Sequence, residues 1–164
     1  MYQIVFYPTS ALNEPSKKVS VFDAALKELA REMYVAMIAA DGIGLAAPQI
    51  GKNIRLIIVR TPEDDGSYKA YVNPTITYAS AKATGIEEGC LSLPGLFGHV
   101  PRAAKIRVQY SDIDGVKRTE KAKGVEAIVL QHEIDHIEGN LIINRDIELT
   151  KGQELLEQWK RKKR

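Results

Sequence analysis

The strongest periodicity in the chain lies between Val21 and Ala40. Phe22, Ala25, Leu26, Leu29, Met33, Ala36, Met37 and Ala40 recur at steps of three and four, which places them on one stripe of an α-helix. Ser20 can cap its start and Gly42 suits its end. The methionines of the stripe read as core filler, because an unbranched thioether fits irregular gaps. Ile54-Arg-Leu-Ile-Ile-Val59 has the other signature, the short β-branched run of a buried strand. Asp65-Gly66 turns the chain into a second strand near Lys69 to Val72, which Ile76 to Tyr78 continues. Lys105 to Tyr110 and Val116 to Lys121 flank Asp114-Gly115, a hairpin signal. A second helix is expected from about Val125 to Ile137, with Gly139 marking its end, and a last one from about Leu149 to Lys160. Helix, strands, buried helix and terminal helix in that order predict an α+β fold, with antiparallel or mixed sheets wrapped around the buried central helix.

The bulk numbers narrow this picture. At 164 residues the chain suits one domain spanning 1–164, with the C-terminal helix and a basic tail at about 147–164. Its 45% hydrophobic and 27% charged residues are those of an ordinary soluble globule. A net charge of +2 is too small to argue for nucleic acid. No apolar run approaches the ~20 residues that cross a bilayer. Met1 to Pro8 has neither a basic region nor a cleavage site, so no signal peptide is read. A single cysteine excludes an internal disulfide, fits a reducing cytoplasm and leaves one thiol free for metal or chemistry. A monomer is expected, because no segment reads as an interface.

Candidate chemistry sits on the second predicted helix. His132-Glu133-Ile134-Asp135-His136 uses two of the chain's three histidines. Residues four apart share a helical face, ~6 Å apart at Cβ, so both imidazoles can reach one cation. Glu133 is turned ~100° away and can instead reach a water on that cation. Two nitrogen ligands, a water and a carboxylate to move its proton form a layout for metal-assisted hydrolysis.

A catalytic metal needs about three protein ligands and an open position. A third histidine after Gly139 is excluded, because that position is Ile142. A glutamate on the last helix, Glu154 or Glu157, remains open. So does Cys90, in the glycine-flanked turn Gly85-Ile-Glu-Glu-Gly-Cys-Leu-Ser92. Ile43-Gly-Leu-Ala-Ala-Pro-Gln49 is irregular. Gly44 there allows a close approach of backbone or ligand, although composition also fits a plain turn.

Three stretches taken together carry a resemblance. Gly42-Ile-Gly-Leu-Ala-Ala-Pro-Gln49, Glu88-Gly-Cys-Leu-Ser92 and Gln131-His-Glu-Ile-Asp-His136 resemble, in order and spacing, the signature motifs of the peptide deformylase family. The likeness runs from about Val5 to Arg145. It departs at Ile137, where leucine is usual, and at Asn144, where aspartate is common. Pro94 to Gly98 varies among branches of the family. The resemblance implies removal of the N-formyl group from the initiator methionine of nascent polypeptides, in a bacterial cytoplasm. It implies Cys90, His132 and His136 as metal ligands, with Fe2+ as the native ion and Zn2+, Ni2+ or Co2+ as substitutes. It gives Glu133 the acid/base role, and assigns the formyl oxygen to the Gln49 side-chain amide and the Leu91 backbone N–H.

An unbranched apolar slot for the methionine side chain is expected from Ile43, Ile86, Val125, Ile128 and Val129, with Phe97 at its edge. The backbone of Ile43, Gly44, Leu45 and Gly89 is expected to pair with the substrate as an added strand. Arg102 and Glu88 are expected to pair behind the cysteine turn, Asp135 and Glu138 to face water or form salt bridges, and His99 to lie on the surface. Lys160 to Arg164 are five consecutive cations, readable as a frayed, solvated tail or as a contact for ribosomal RNA.

Overall fold

A computed structural model describes residues 1–63 and 65–163. Arg164, the last of the five terminal cations, lies outside the described residues. The first helix, α1 (Ala24–Ala39), starts later than its periodicity predicts. Asp23, rather than Ser20, is the cap, and its carboxylate accepts from the Leu26 N–H at 2.9 Å. The left-handed residue at its end is Asp41 (φ 56°), while the Gly42 N–H closes back onto the Met37 carbonyl at 2.9 Å.

A five-stranded antiparallel sheet follows, built from β1 (Gly44–Ala46), β2 (Leu56–Arg60), β3 (Tyr68–Ala79), β8 (Lys105–Ser111) and β9 (Lys117–Lys123), in that spatial order. The two runs expected around residues 69–72 and 76–78 are one strand, β3. A bulge at Asn73 (φ 52°) and Pro74 shifts the register with β8 between Val72 and Thr75, and the strand continues through it. Helix α2 (Gly124–Ile137) covers this sheet.

Period-two alternation explains why β2 is apolar from Leu56 to Val59. Leu56 and Ile58 face α1, together with Met33, Met37 and Val72. Ile57 and its neighbour Tyr71 face α2, together with Leu130, Ile134 and Ile137. A strand covered on both faces has no polar side to show.

A three-stranded sheet of β10 (Glu148–Lys151), β6 (Phe97–His99) and β5 (Glu87–Gly89) and a ribbon of β4 (Ala83–Thr84) with β7 (Arg102–Ala103) complete the strands. Leu149 to Lys151 are thus strand, not the start of the last helix. That helix, α3 (Gln153–Lys162), begins after left-handed Gly152. It docks by Leu156 and by Trp159, which packs edge-on to Tyr7 at 5.8 Å. Lys160 to Lys162 are helical rather than frayed, at the end of a helix where cations favour the dipole. Among the described residues no helix is long and apolar enough to cross a membrane.

Candidate metal centre

Helix α2 buries ten of its fourteen residues. That leaves no free face for its polar side chains, so His132, Glu133, Asp135 and His136 must find partners inside the protein. His132 and His136 stand one turn apart, their Nε2 atoms separated by 3.2 Å. Cys90, directly after β5, brings its Sγ to 3.4 Å from His136 Nε2. The three ligand atoms lie within 4.8 Å of one another, and among the described residues they are the only such cluster of metal-binding side chains. The glutamates of the last helix drop out as third ligands: Glu154 and Glu157 are exposed on α3.

The donor set fits a divalent transition metal. Glu88 Oε1 lies 2.8 Å from His132 Nδ1. It takes that nitrogen's proton side and leaves Nε2 for a cation. Charge alone points the same way. Burial opposes a positive His132, but hydrogen bonds with Cys90 and Glu88 and the Glu133 charge hold its imidazole well above the ordinary value. His136 is pushed well below by burial, then by His132 and Arg102. The pocket therefore favours positive charge at His132 and disfavours it at His136. A thiolate with two imidazoles is a donor set for iron, zinc, nickel or cobalt rather than for calcium or magnesium.

Behind the centre runs a buried line of alternating charge. Arg102 grips Glu88 with two parallel bonds of 2.9 Å and donates to Asp135 Oδ2 at 2.6 Å. Arg145, itself exposed, closes the line on Asp135 at its outer end. Hydrogen bonds from His132 and Arg102 hold the Glu88 carboxyl below its ordinary range, against burial, the largest single influence. The expected Arg102–Glu88 pair is present. Asp135 does form salt bridges but is 6% exposed, far from facing water. Glu138 pairs with Arg55 at 2.7 Å on the surface, and His99 is exposed. The reading from sequence missed Arg145 as a partner. Its only signal was a basic residue just beyond the helix that carries an acid between the two histidines.

Glu133 lies on the side of α2 that meets β1. Its carboxyl is 5% exposed, and Oε2 is a buried oxygen without a hydrogen-bond partner among the described residues. Burial pushes this carboxyl up to about 7. Gly44 makes the position possible: a Cβ there would stand 2.7 Å from Glu133 Oε1. The close approach expected at this glycine is therefore made by a side chain of the protein itself.

Gln49 belongs to a short 3-10 turn, Ala47–Ile50, after β1. The Ala46 N–H donates to its Oε1 at 2.9 Å, which fixes the amide so that Nε2 points to Cys90 Sγ at 3.7 Å and Ser92 Oγ at 3.3 Å. Leu91 is half-buried beside Cys90.

The apolar residues expected around a substrate divide. Ile43, Ile86 and Val125 are 53%, 42% and 55% exposed, unusual for such side chains, whereas Ile128 and Val129 are buried. Val125, Val129, His132 and His136 fall on one helical stripe, so the valines extend the line of the imidazoles. Phe97 lies opposite Gly89 in the β5–β6 pair, its ring where a Cβ on Gly89 would be. Leu45 is wholly buried on the α1 side, so its side chain is committed to the core. β1 and β5 are each the terminal strand of their sheets.

Comparison with known proteins places this geometry. Residues 1–152 match the family model described as polypeptide deformylase. A peptide deformylase of Brucella suis is 40% identical over 98% of this chain and 96% of its own length. Among solved structures, a peptide deformylase from Thermotoga maritima superposes with a TM-score of 0.85 at 36% identity, covering 88% of this chain and 97% of that one. One from Plasmodium falciparum reaches 0.88 at 32% identity, covering 96% and 93%.

Proposed function

The chain belongs to the polypeptide deformylase family, and from that premise we propose that it hydrolyses the N-formyl group from the terminal methionine of newly made polypeptides, releasing formate. One observation carries the reading: Cys90, His132 and His136 converge to within 4.8 Å of one another beside the buried Glu133 carboxyl.

Cys90, His132 and His136 hold one divalent metal. Fe2+ is the native ion, as the family resemblance implies, and Zn2+, Ni2+ or Co2+ can substitute on the same donors. When bound, the metal supplies Lewis acidity, which acidifies water and polarises a carbonyl. Glu133 accepts a proton from the attacking water as the new carbon–oxygen bond forms at the formyl carbon. It then passes that proton to the leaving nitrogen as the carbon–nitrogen bond breaks. The products are formate and a free amino terminus. The Gln49 Nε2–H and the Leu91 backbone N–H donate to the formyl oxygen as negative charge builds there. Donors aimed at that position are worth ~3 kcal/mol each, and the Ala46–Gln49 bond keeps one of them aimed before substrate arrives.

The substrate backbone adds along the terminal strands β1 and β5, through Ile43, Gly44, Leu45 and Gly89. The methionine side chain enters among Ile43, Ile86, Val125, Ile128 and Val129, with Phe97 at the rim. Formylmethionyl nascent chains are the partners of a monomeric protein, and the cations Lys160 to Arg164 give a transient contact with the ribosome.

The test is formate release from formyl-Met-Ala-Ser under anaerobic conditions, with metal analysis alongside. Wild type should turn over with about one metal per chain. Cys90→Ser should lose both metal and turnover. A metal-loaded, folded wild type that releases no formate refutes the assignment.

A further inference from the structure

The outer face of β8 and β9 violates a rule that the rest of the fold keeps. Lys105 lies directly opposite Lys123, and Arg107 directly opposite Lys121. Both pairs point away from α2, because the alternate positions Ile106, Val108 and Ala122 form the core. Like charges face to face across a sheet cost stability, where opposite charges would add to it. Lys117 extends the same face, and all five cations are exposed. None of the five forms an ion pair among the described residues, whereas Lys27, Lys69 and Arg118, also exposed, each do; Lys18 and Lys82 are exposed and form none either. Glu126 is the single carboxylate lining the two clefts that these cations border, and Lys18 adds a further cation at one end. The net charge of +2 averages this concentration away.

Lysines on a terminal strand guard against edge-to-edge pairing. That accounts for β9, but not for Lys105 and Arg107 on β8, which is flanked by β3 and β9. Tyr78, opposite Arg107 and 53% exposed, sets a flat aromatic ring beside the cations. Along each strand the charges repeat every ~7 Å, and between strands every ~5 Å. Two rows of unpaired cations with an aromatic ring at one side suit a chain of phosphates that carries bases able to stack. We propose that the outer face of the β8–β9 hairpin, through Lys105, Arg107, Lys117, Lys121 and Lys123, docks an RNA phosphate backbone. The surface is separate from the metal centre and from the cations of the C-terminal helix, so it stands whether or not the catalytic reading does. An anionic membrane would want exposed apolar residues among the cations, and Tyr78 is the only large one on this face.

Lys121→Glu/Lys123→Glu turns both like-charge pairs into opposite-charge pairs, so fold and function are expected to move in opposite directions. Full-length protein is titrated into a 20-base-pair RNA duplex and into oligo(U) at several salt concentrations. The same protein is tested on vesicles rich in phosphatidylserine. Wild type should bind RNA with a steep salt dependence. The double variant should bind about tenfold or more weakly with a shallower salt slope, at an equal or higher melting temperature and with unchanged formate release from a short peptide. Lys121→Gln/Lys123→Gln should fall between the two. Neutralising Lys160 to Lys163 should leave the loss caused by the sheet variant in place. Wild-type RNA affinity in the double variant overturns the proposal. So does binding to vesicles but not to RNA, or loss of all RNA binding on neutralising the C-terminal cations alone.

Discussion

Helix α2 holds two buried faces by different means. Toward the five-stranded sheet it presents Ala127, Leu130, Ile134 and Ile137, packed on Ile57, Ile106 and Val108. Away from that core it presents His132, Asp135 and His136, each buried but held by Glu88, Arg102, Arg145 and Cys90. The first face is specified by size and apolarity and tolerates exchange among similar residues. The second is specified by pairing, and removal of one member leaves another charge stranded. One helix thus carries a forgiving side that anchors it and an exacting side that gathers the candidate metal ligands.

The largest effect should come from Glu133→Gln. It removes the proposed proton carrier while keeping the shape, and formate release should fall by about 10²–10⁴-fold with metal content unchanged. Retention of full activity would end the claim that Glu133 carries the proton. Next is Arg102→Met, which leaves Glu88 and Asp135 short of their shared cation. Urea unfolding should show a loss of about 3–5 kcal/mol. The metal should be held about 10–100-fold more weakly as the Glu88 brace on His132 loosens. Leu130→Ala strikes the opposite face and should cost about 2–5 kcal/mol. The folded fraction should nonetheless keep its metal, measured as metal per folded chain. Equal metal loss in both variants would erase the distinction between the faces.

The smallest effect concerns a polar island under the sheet-facing side. Tyr71 and Tyr110 donate to Glu120, which Lys69 also holds. Burial, then the Glu120 hydrogen bond and charge, push the Tyr110 phenol up to about 12 from its ordinary 10. The folded state therefore keeps this proton more tightly than the unfolded state. The stabilisation is complete below pH 10 and is lost as pH rises through 12. Tyr110→Phe should flatten that alkaline fall in melting temperature.

The apolar face of α2 was legible because its signal is local: a periodic run ending at Gly139. β2 and the β8–β9 hairpin were legible for the same reason, an apolar run and an Asp-Gly turn. The candidate metal ligands required the motif set, since Cys90 is 42 positions from His132 and no periodicity links them. Asp135 shows where local reading fails. An acid on a helix ordinarily faces water, and only Arg102 and Arg145, supplied by a strand and a following loop, make its burial tolerable. Leu149 to Lys151 read as helix because their strand partner, β6, is fifty residues upstream. The cap at Asp23 in place of Ser20 reflects two suitable residues in one short stretch, between which tertiary packing decides.

Position 44 sets an unusual bound on variation. The Glu133 carboxyl rests against the backbone of β1, and a single methyl would begin 2.7 Å from its oxygen. A saturation library at this codon, sorted for folded yield, should return alanine and serine beside glycine, since the end of the Glu133 side chain can swing aside. Sorted for turnover, the same library should collapse to glycine alone, because the displaced carboxyl no longer reaches the scissile bond.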